Sequence, residues 1–449
     1  MRSLLSRLAD ALARASARFV PDAFSIAALL TFLTLAMAMA AGDADLPRCV
    51  RAWGDGVWTL LPFSMQIAVV IFAGYVLAVS PPVRSVLDRL ASVPRTPRQA
   101  VAFTAFASMV LCWLNWGAGL IASAVLVRSV ARRHPDADYR LLVAVAYLGL
   151  GTTWHAGPSG SVPLLLATPG SGNFMLKDGL IAAPIPVAET LFTSVNLGLM
   201  LAVVVVLTAF AALLLPPPDR RVRPDAAGLD ALASFTPPTR PASPTPAERL
   251  MYVPVLNVSL GLLGAAYIAA IVRAGTFAAT LDSVNLIVLT LALLLHPSPA
   301  SLVKAAEEAA RPLHGVVLQF PLYAGIYGVI KDTGLAVTLA NLFLAVATPR
   351  SFPIIVFLYS ALLNYFVPSG GAKWAMEAPY LLEAGRRLGV PIPELAMAYS
   401  YGDMATNLIQ PFWAIPLLGI ARLEFRDILG YEMLMLVAYS ALVTVALLI

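Results

Sequence analysis

Residues 361–382, ALLNYFVPSGGAKWAMEAPYLL, form an apolar run that breaks at Pro368-Ser369-Gly370-Gly371 and then places Lys373 and Glu377 among apolar neighbours. A small anion needs donors at one end of its site, without so much neutralisation that it cannot leave. The start of a half-helix meets that need, with free N–H groups and roughly half a positive charge. Ser369-Gly370-Gly371 and Ser159-Gly160-Ser161 each follow a proline in the repeated tripeptide Pro-Ser-Gly, so both are candidate helix starts at a binding site. Ordinary kinking is the alternative, since Gly and Pro are common in membrane helices.

Two asparagines stand near these breaks, each followed by an aromatic residue: Leu114-Asn115-Trp116 and Leu363-Asn364-Tyr365. Each offers amide donors and a carbonyl acceptor to a ligand, or caps a half-helix. Trp116, Gly117 and Trp374 belong either to the wall of the same site or to ordinary packing. Lys373 either meets the anion directly or pairs with Glu377, four residues on along a helix. Asp403 with Thr406, Asn407 and Gln410 forms a candidate proton or sodium site, or a structural pairing inside a broken helix. His155, with an unperturbed pKa of about 6.5, is either a proton carrier or a hydrogen-bonded structural residue. No metal-ligand spacing, nucleophile elbow, phosphate loop or pair of catalytic carboxylates accompanies these residues, so no enzyme and no cofactor is expected.

The elements that must hold them are membrane helices. The chain of 449 residues is 59% hydrophobic and 12% charged, with mean hydropathy +0.81, where a soluble chain carries roughly 25% charged residues. Continuous apolar runs near the ~20 residues of a spanning helix exclude a β-barrel. The net charge of +5 comes mostly from Arg in connecting segments, which points to topology and contact with anionic lipid rather than nucleic acid. Cys49, read as lying in an outer loop, and Cys112, in an apolar run, are too few for a disulfide framework.

Residues 1–20 carry four arginines on an amphipathic pattern and are expected to form a cytoplasmic surface segment. Spans are expected near 23–42, 57–80, 141–166, 190–216, 250–273, 283–296, 313–330, 395–420 and 428–448. Segments 99–130 and 352–384 suit re-entrant hairpins, whose bare backbone is tolerated only where protein or a water-filled cavity covers it. Spans 141–166 and 395–420 are interrupted by GTTWHAGPSGSVP and YGDMATNLIQPFWAIP. The Pro- and Arg-rich stretch 217–249 reads as a cytoplasmic linker.

Landmarks recur at nearly constant separation: Asn115 and Asn364, Ala146-Tyr147 and Ala398-Tyr399, Pro163-Leu164-Leu165 and Pro416-Leu417-Leu418. The chain therefore reads as all-α and polytopic, an inverted repeat of about nine transmembrane helices, two of them broken, plus two re-entrant hairpins. The first repeat is 21–216 and the second 283–449, and helix 250–273 between them supplies the extra crossing that inverts the second copy. The N-terminus is expected in the cytoplasm and the C-terminus in the periplasm.

With PDAFSIAALLTFLT, WGDGVW, NWGAGL, GPSGSVPLLLATPG, VNLIVLTLALLLH, QFPLYAGI, LLNYFVPSGGAKW and QPFWAIPLL in place, the chain resembles, over essentially its full length, the AtoE-type short-chain fatty acid transporters of the ion transporter superfamily. The resemblance implies secondary transport of small carboxylates such as butyrate or acetoacetate across a bacterial inner membrane, by symport with H⁺ or Na⁺. It also implies a homodimer whose scaffold is passed by a moving part carrying both hairpins, an elevator-like motion. Where the family often has Gly and His before the tryptophan, this chain has Ala372 and Lys373. The other readings are transport of a different small organic anion, passive anion permeation, and, more remotely, a membrane-bound acyl enzyme.

Overall fold

The computed structural model describes residues 23–41, 44–170, 173–223 and 235–448; the expected surface segment 1–20 and part of the linker lie outside these. The described residues are all-helical, without a strand. We number the principal helices α1 (Ala23–Ala41), α2 (Leu46–Gly56), α3 (Leu61–Ala78), α4 (Pro81–Leu90), α5 (Pro97–Leu114), α6 (Trp116–Arg133), α7 (Tyr139–Thr152), α8 (Ser161–Ala167) and α9 (Ser194–Leu213). There follow α10 (Val255–Arg273), α11 (Leu281–Leu295), α12 (Pro299–Ala310), α13 (His314–Asp332), α14 (Leu335–Val346), α15 (Phe352–Phe366), α16 (Gly370–Leu388), α17 (Ile392–Ala405), α18 (Ile415–Ala421) and α19 (Phe425–Leu448).

Among the described residues, five helical stretches are long and apolar enough to cross a membrane: Phe24–Ala41, Leu61–Ala78, Ser194–Leu213, Pro246–Arg273 and Phe425–Leu448. They leave large apolar side chains such as Phe32, Leu201, Leu263 and Val437 exposed, the pattern of helices solvated by lipid. The inner helices α7, α16 and α17 are buried along almost their whole length.

Packing repeats with a shift of ten helices. Helix α6 lies on α3, α4 and α7, as α16 lies on α13, α14 and α17. The two runs also interlock: α13 packs on α1 and α2 while α3 packs on α11 and α12, and α8 crosses to α16 while α18 crosses to α6. Side-chain bonds follow the same rule. Ser108 donates to the Ala146 carbonyl at 2.8 Å and Ser360 to that of Tyr399 at 2.9 Å. Thr153 donates to Met109 O and Thr406 to Ala361 O, both at 2.7 Å.

These bonds relate the runs by 252 or 253 positions, so Asn115 and Asn364, 249 apart, are not structural counterparts. Asn115 is the break between α5 and α6, whereas Asn364 lies in the last turn of α15. Cys49, expected in an outer loop, is instead buried on α2, whose first turn is capped by Asp45. The short helices α2, α4, α12 and α14 lie between the expected spans, α2 in the stretch read as an outer loop.

Candidate functional site

Two interruptions bring the site residues together. Helix α5 ends where Asn115 turns extended, and the Asn115 carboxamide then accepts from Ala118 N at 2.9 Å to start α6. Helix α16 starts after Val367-Pro368 at an extended Ser369 that makes no side-chain cap, leaving the first N–H groups without an acceptor inside the helix. Helices α7 and α17 each break into a short 3₁₀ turn, at Trp154–Ala156 and Thr406–Ile409.

Where these breaks meet, a cavity of about 260 Å³ opens. Asn364, Ser369, Gly370, Gly371, Asp403 and Asn407 line one side together with Ser161. Ile67 and Ile71 of α3, Phe320 of α13, and Trp116, Trp154 and Trp413 supply an apolar wall. Trp116 sits between the other two indoles, with ring centroids 5.5 Å from Trp154 and 5.4 Å from Trp413. The indole N–H groups of Trp116 and Trp154 are buried and have no partner. Asn364 donates to Thr406 Oγ1 at 3.1 Å and Asn407 Oδ1 at 2.9 Å, and Asn407 donates to the Leu150 carbonyl at 3.0 Å. The broken helices are thereby tied to each other.

Behind the cavity lies a fully buried ionic cluster. Lys373 Nζ is 3.3 Å from Asp403 Oδ1 and 3.4 Å from Glu377 Oε1, so the expected pairing with Glu377 is present and Asp403 joins it. His155 Nδ1 is 2.8 Å from Asp403 Oδ2. The other ring nitrogen, Nε2, accepts from Val162 N at 3.2 Å. A backbone N–H can only donate, so Nε2 holds the lone pair and the proton sits on Nδ1, facing Asp403. His155 is then neutral, and the Lys373 ammonium lies between two carboxyl groups.

Other candidate residues support the site from outside the cavity lining. Asn115 is a helix cap, and Ser159 accepts from Trp116 N at 2.9 Å. Gly117 and Gly160 admit a close backbone, as a Cβ would fall 2.7 Å from Val70 O and 2.4 Å from His155 O respectively. Trp374 is buried with its indole N–H on Met175 Sδ at 3.1 Å. Gln410 is buried with Oε1 unpartnered. Sequence reasoning did not single out Ile67, Ile71, Phe320 or Trp154 as lining residues. Two of them carried a signal: Phe320 in the motif Gln319-Phe320-Pro321, a proline inside a membrane helix, and Trp154 in the interruption GTTWHAGPSGSVP.

A family model described as "Short chain fatty acid transporter" matches residues 4–449. A protein of Escherichia coli K12 named "Putative short-chain fatty acid transporter" is 40% identical over 428 residues, 95% of this chain and 96% of that one. A Haemophilus influenzae protein of the same name is 35% identical over 440 residues, 97% of both chains. The chain belongs to the short-chain fatty acid transporter family. That family and these relatives are transporters, not enzymes. The fold is also that of the YdaH transporter of Alcanivorax borkumensis, at TM-score 0.60 and 16% identity, covering 95% of this chain and 98% of that one. Neisseria gonorrhoeae MtrF, from a class of antimetabolite efflux pumps, matches at TM-score 0.57 and 16% identity, covering 97% and 96%. In this member of the short-chain fatty acid transporter family, a half-helix start and an apolar wall with three indoles surround one cavity, with an ionic cluster beneath it.

Proposed function

We propose that the chain is a secondary active transporter of short-chain monocarboxylates, of the butyrate or acetoacetate type, in a bacterial inner membrane, and that a proton or sodium gradient drives it. The observation that carries the coupling is the place of Asp403. A Cβ at Gly370 would lie 2.7 Å from Asp403 Oδ2, so a carboxylate held at the start of α16 is brought close to a second carboxylate. With His155 neutral, Lys373 is the one cation of the cluster and is already engaged by Asp403 and Glu377, so it offers no free positive charge to an incoming anion. Buried charge is costly unless paired, so the anion and a compensating cation bind best together, which is the linkage a symporter needs.

The shift-by-ten packing supports an inverted repeat with α10 as the extra crossing. The pieces α5–α9 and α15–α19 would then travel together past a scaffold formed by the remaining helices, in a homodimer embedded in membrane lipid. The test is uptake of C2 to C6 monocarboxylates and dicarboxylates into proteoliposomes, with proton and sodium gradients imposed separately. Saturable butyrate uptake is expected, accumulating against its gradient when one of the two cations is supplied. Uptake indifferent to both gradients would establish passive permeation instead.

A further inference from the structure

Lys373 sits in surroundings that a free cation would accept. Its ammonium donates to Ser360 Oγ at 2.7 Å and to the Ser360 carbonyl at 3.1 Å. Asp403 Oδ1 and Glu377 Oε1 stand at 3.3 and 3.4 Å, and the Tyr399 ring centroid lies 4.0 Å away. A main-chain carbonyl, a hydroxyl, two carboxylates and an aromatic face thus converge from α15, α16 and α17 on one positive charge. Oxygen donors and a π face are the partners a monovalent cation takes. A separate observation concerns the carboxylates. Neither oxygen of Glu377 nor Oδ1 of Asp403 receives a hydrogen bond, so the ammonium is what compensates them, and without it they would face each other bare in the interior.

We infer that Lys373 is the tethered, permanent occupant of a monovalent-cation site built by Ser360, Glu377, Tyr399 and Asp403, and that shortening residue 373 opens this site to a free ion. Ammonium is the best guest, because it reproduces both the charge and the N–H donors, with potassium and sodium behind it. The cluster beyond the site is fixed: His155 bonds the far oxygen of Asp403, and the Tyr359 and Tyr380 hydroxyls bond each other at 2.9 Å. The inference does not depend on the transport cycle, since occupancy is read from stability without substrate.

The test compares the full-length protein, Lys373→Ala, and Lys373→Ala with Glu377→Gln, purified in detergent in ammonium, potassium, sodium or choline chloride at equal ionic strength. For Lys373→Ala, the thermal midpoint is expected to rise saturably by several degrees from choline to ammonium, while the unaltered protein shows no such response to ammonium. Removing the Glu377 charge as well should weaken the apparent ammonium affinity at least tenfold. The inference is overturned if Lys373→Ala is indifferent to the cation, if it fails to fold in every one of the four salts, or if the double variant responds as strongly as the single one.

Discussion

Trp154 couples the ionic cluster to the cavity: it lines the cavity and its indole stacks on His155 with ring centroids 4.3 Å apart, while its own N–H is buried without a partner. A buried donor without a partner is uncommon, and under the proposed function it would serve as a donor to the substrate carboxylate. Trp154→Phe and Trp116→Phe keep an aromatic wall and delete the N–H. A hydrogen bond to a charged group contributes about 1.5–3 kcal/mol, so each change should raise the KM for butyrate by about tenfold or more with little change in thermal midpoint. Unchanged KM in both variants would remove the indoles from the substrate site. At this scale the sequence was half legible. Lys373, Glu377 and Asp403 stand out because charge in an apolar run demands a partner, and the i,i+4 spacing named Glu377. The His155–Asp403 bond was not legible, because it joins residues 248 positions apart and no local period encodes which break faces which. Ile67, Ile71 and Phe320 carry no mark that separates a cavity wall from any other span residue.

Helix starts decide the site at the next scale. Gly370 opens α16, and its missing side chain is what lets Asp403, His155 and Trp154 approach: a Cβ there would come within 2.7 Å of Asp403 Oδ2 and His155 Cε1 and 2.9 Å of Trp154 Cη2. Gly370→Ala should therefore push the start of α16 away from the cluster and lower butyrate uptake at least tenfold. Gly198→Ala in α9, where a Cβ meets nothing within 4 Å, should leave uptake unchanged and stabilise by about 0.5–1 kcal/mol through helix propensity. Equal loss in both would show that uptake is sensitive to any change of glycine rather than to this start. The breaks were readable, since Pro-Ser-Gly and Asn-Trp-Gly cannot continue a helix quietly. The short helices α2, α4, α12 and α14 were missed for the opposite reason. They are 10 to 12 residues long, below the length a span needs, and the charged ones among them, such as α2 with Arg48, Arg51 and Asp55, look like connecting segments to a reading tuned to hydropathy.

For the whole molecule, the question is whether the two runs are inverted. If α10 is one extra crossing, the turn between α6 and α7 and its counterpart between α16 and α17 lie on opposite sides of the membrane. On charge alone the arginines argue against this, because Arg132-Arg133 and Arg386-Arg387 would then sit on different sides, and basic residues favour the cytoplasm. Their surroundings reduce the conflict. Arg387 donates to Glu383 at 2.7 Å and to Asn341 at 2.9 Å, and Arg386 pairs with the same Glu383, so this basic pair is partly neutralised where it stands. Asp136 and Arg386, with side chains 67% and 77% exposed, mark the two turns, and the native cysteines are both buried. In a Cys49→Ala, Cys112→Ala background, Arg386→Cys should react with a membrane-impermeant maleimide added to cells whose outer membrane alone is opened. Asp136→Cys should react only after the inner membrane is permeabilised as well. Labelling of both from the same side would dismiss the inversion, and with it the reading of α5–α9 and α15–α19 as inverted pieces that travel together past a scaffold.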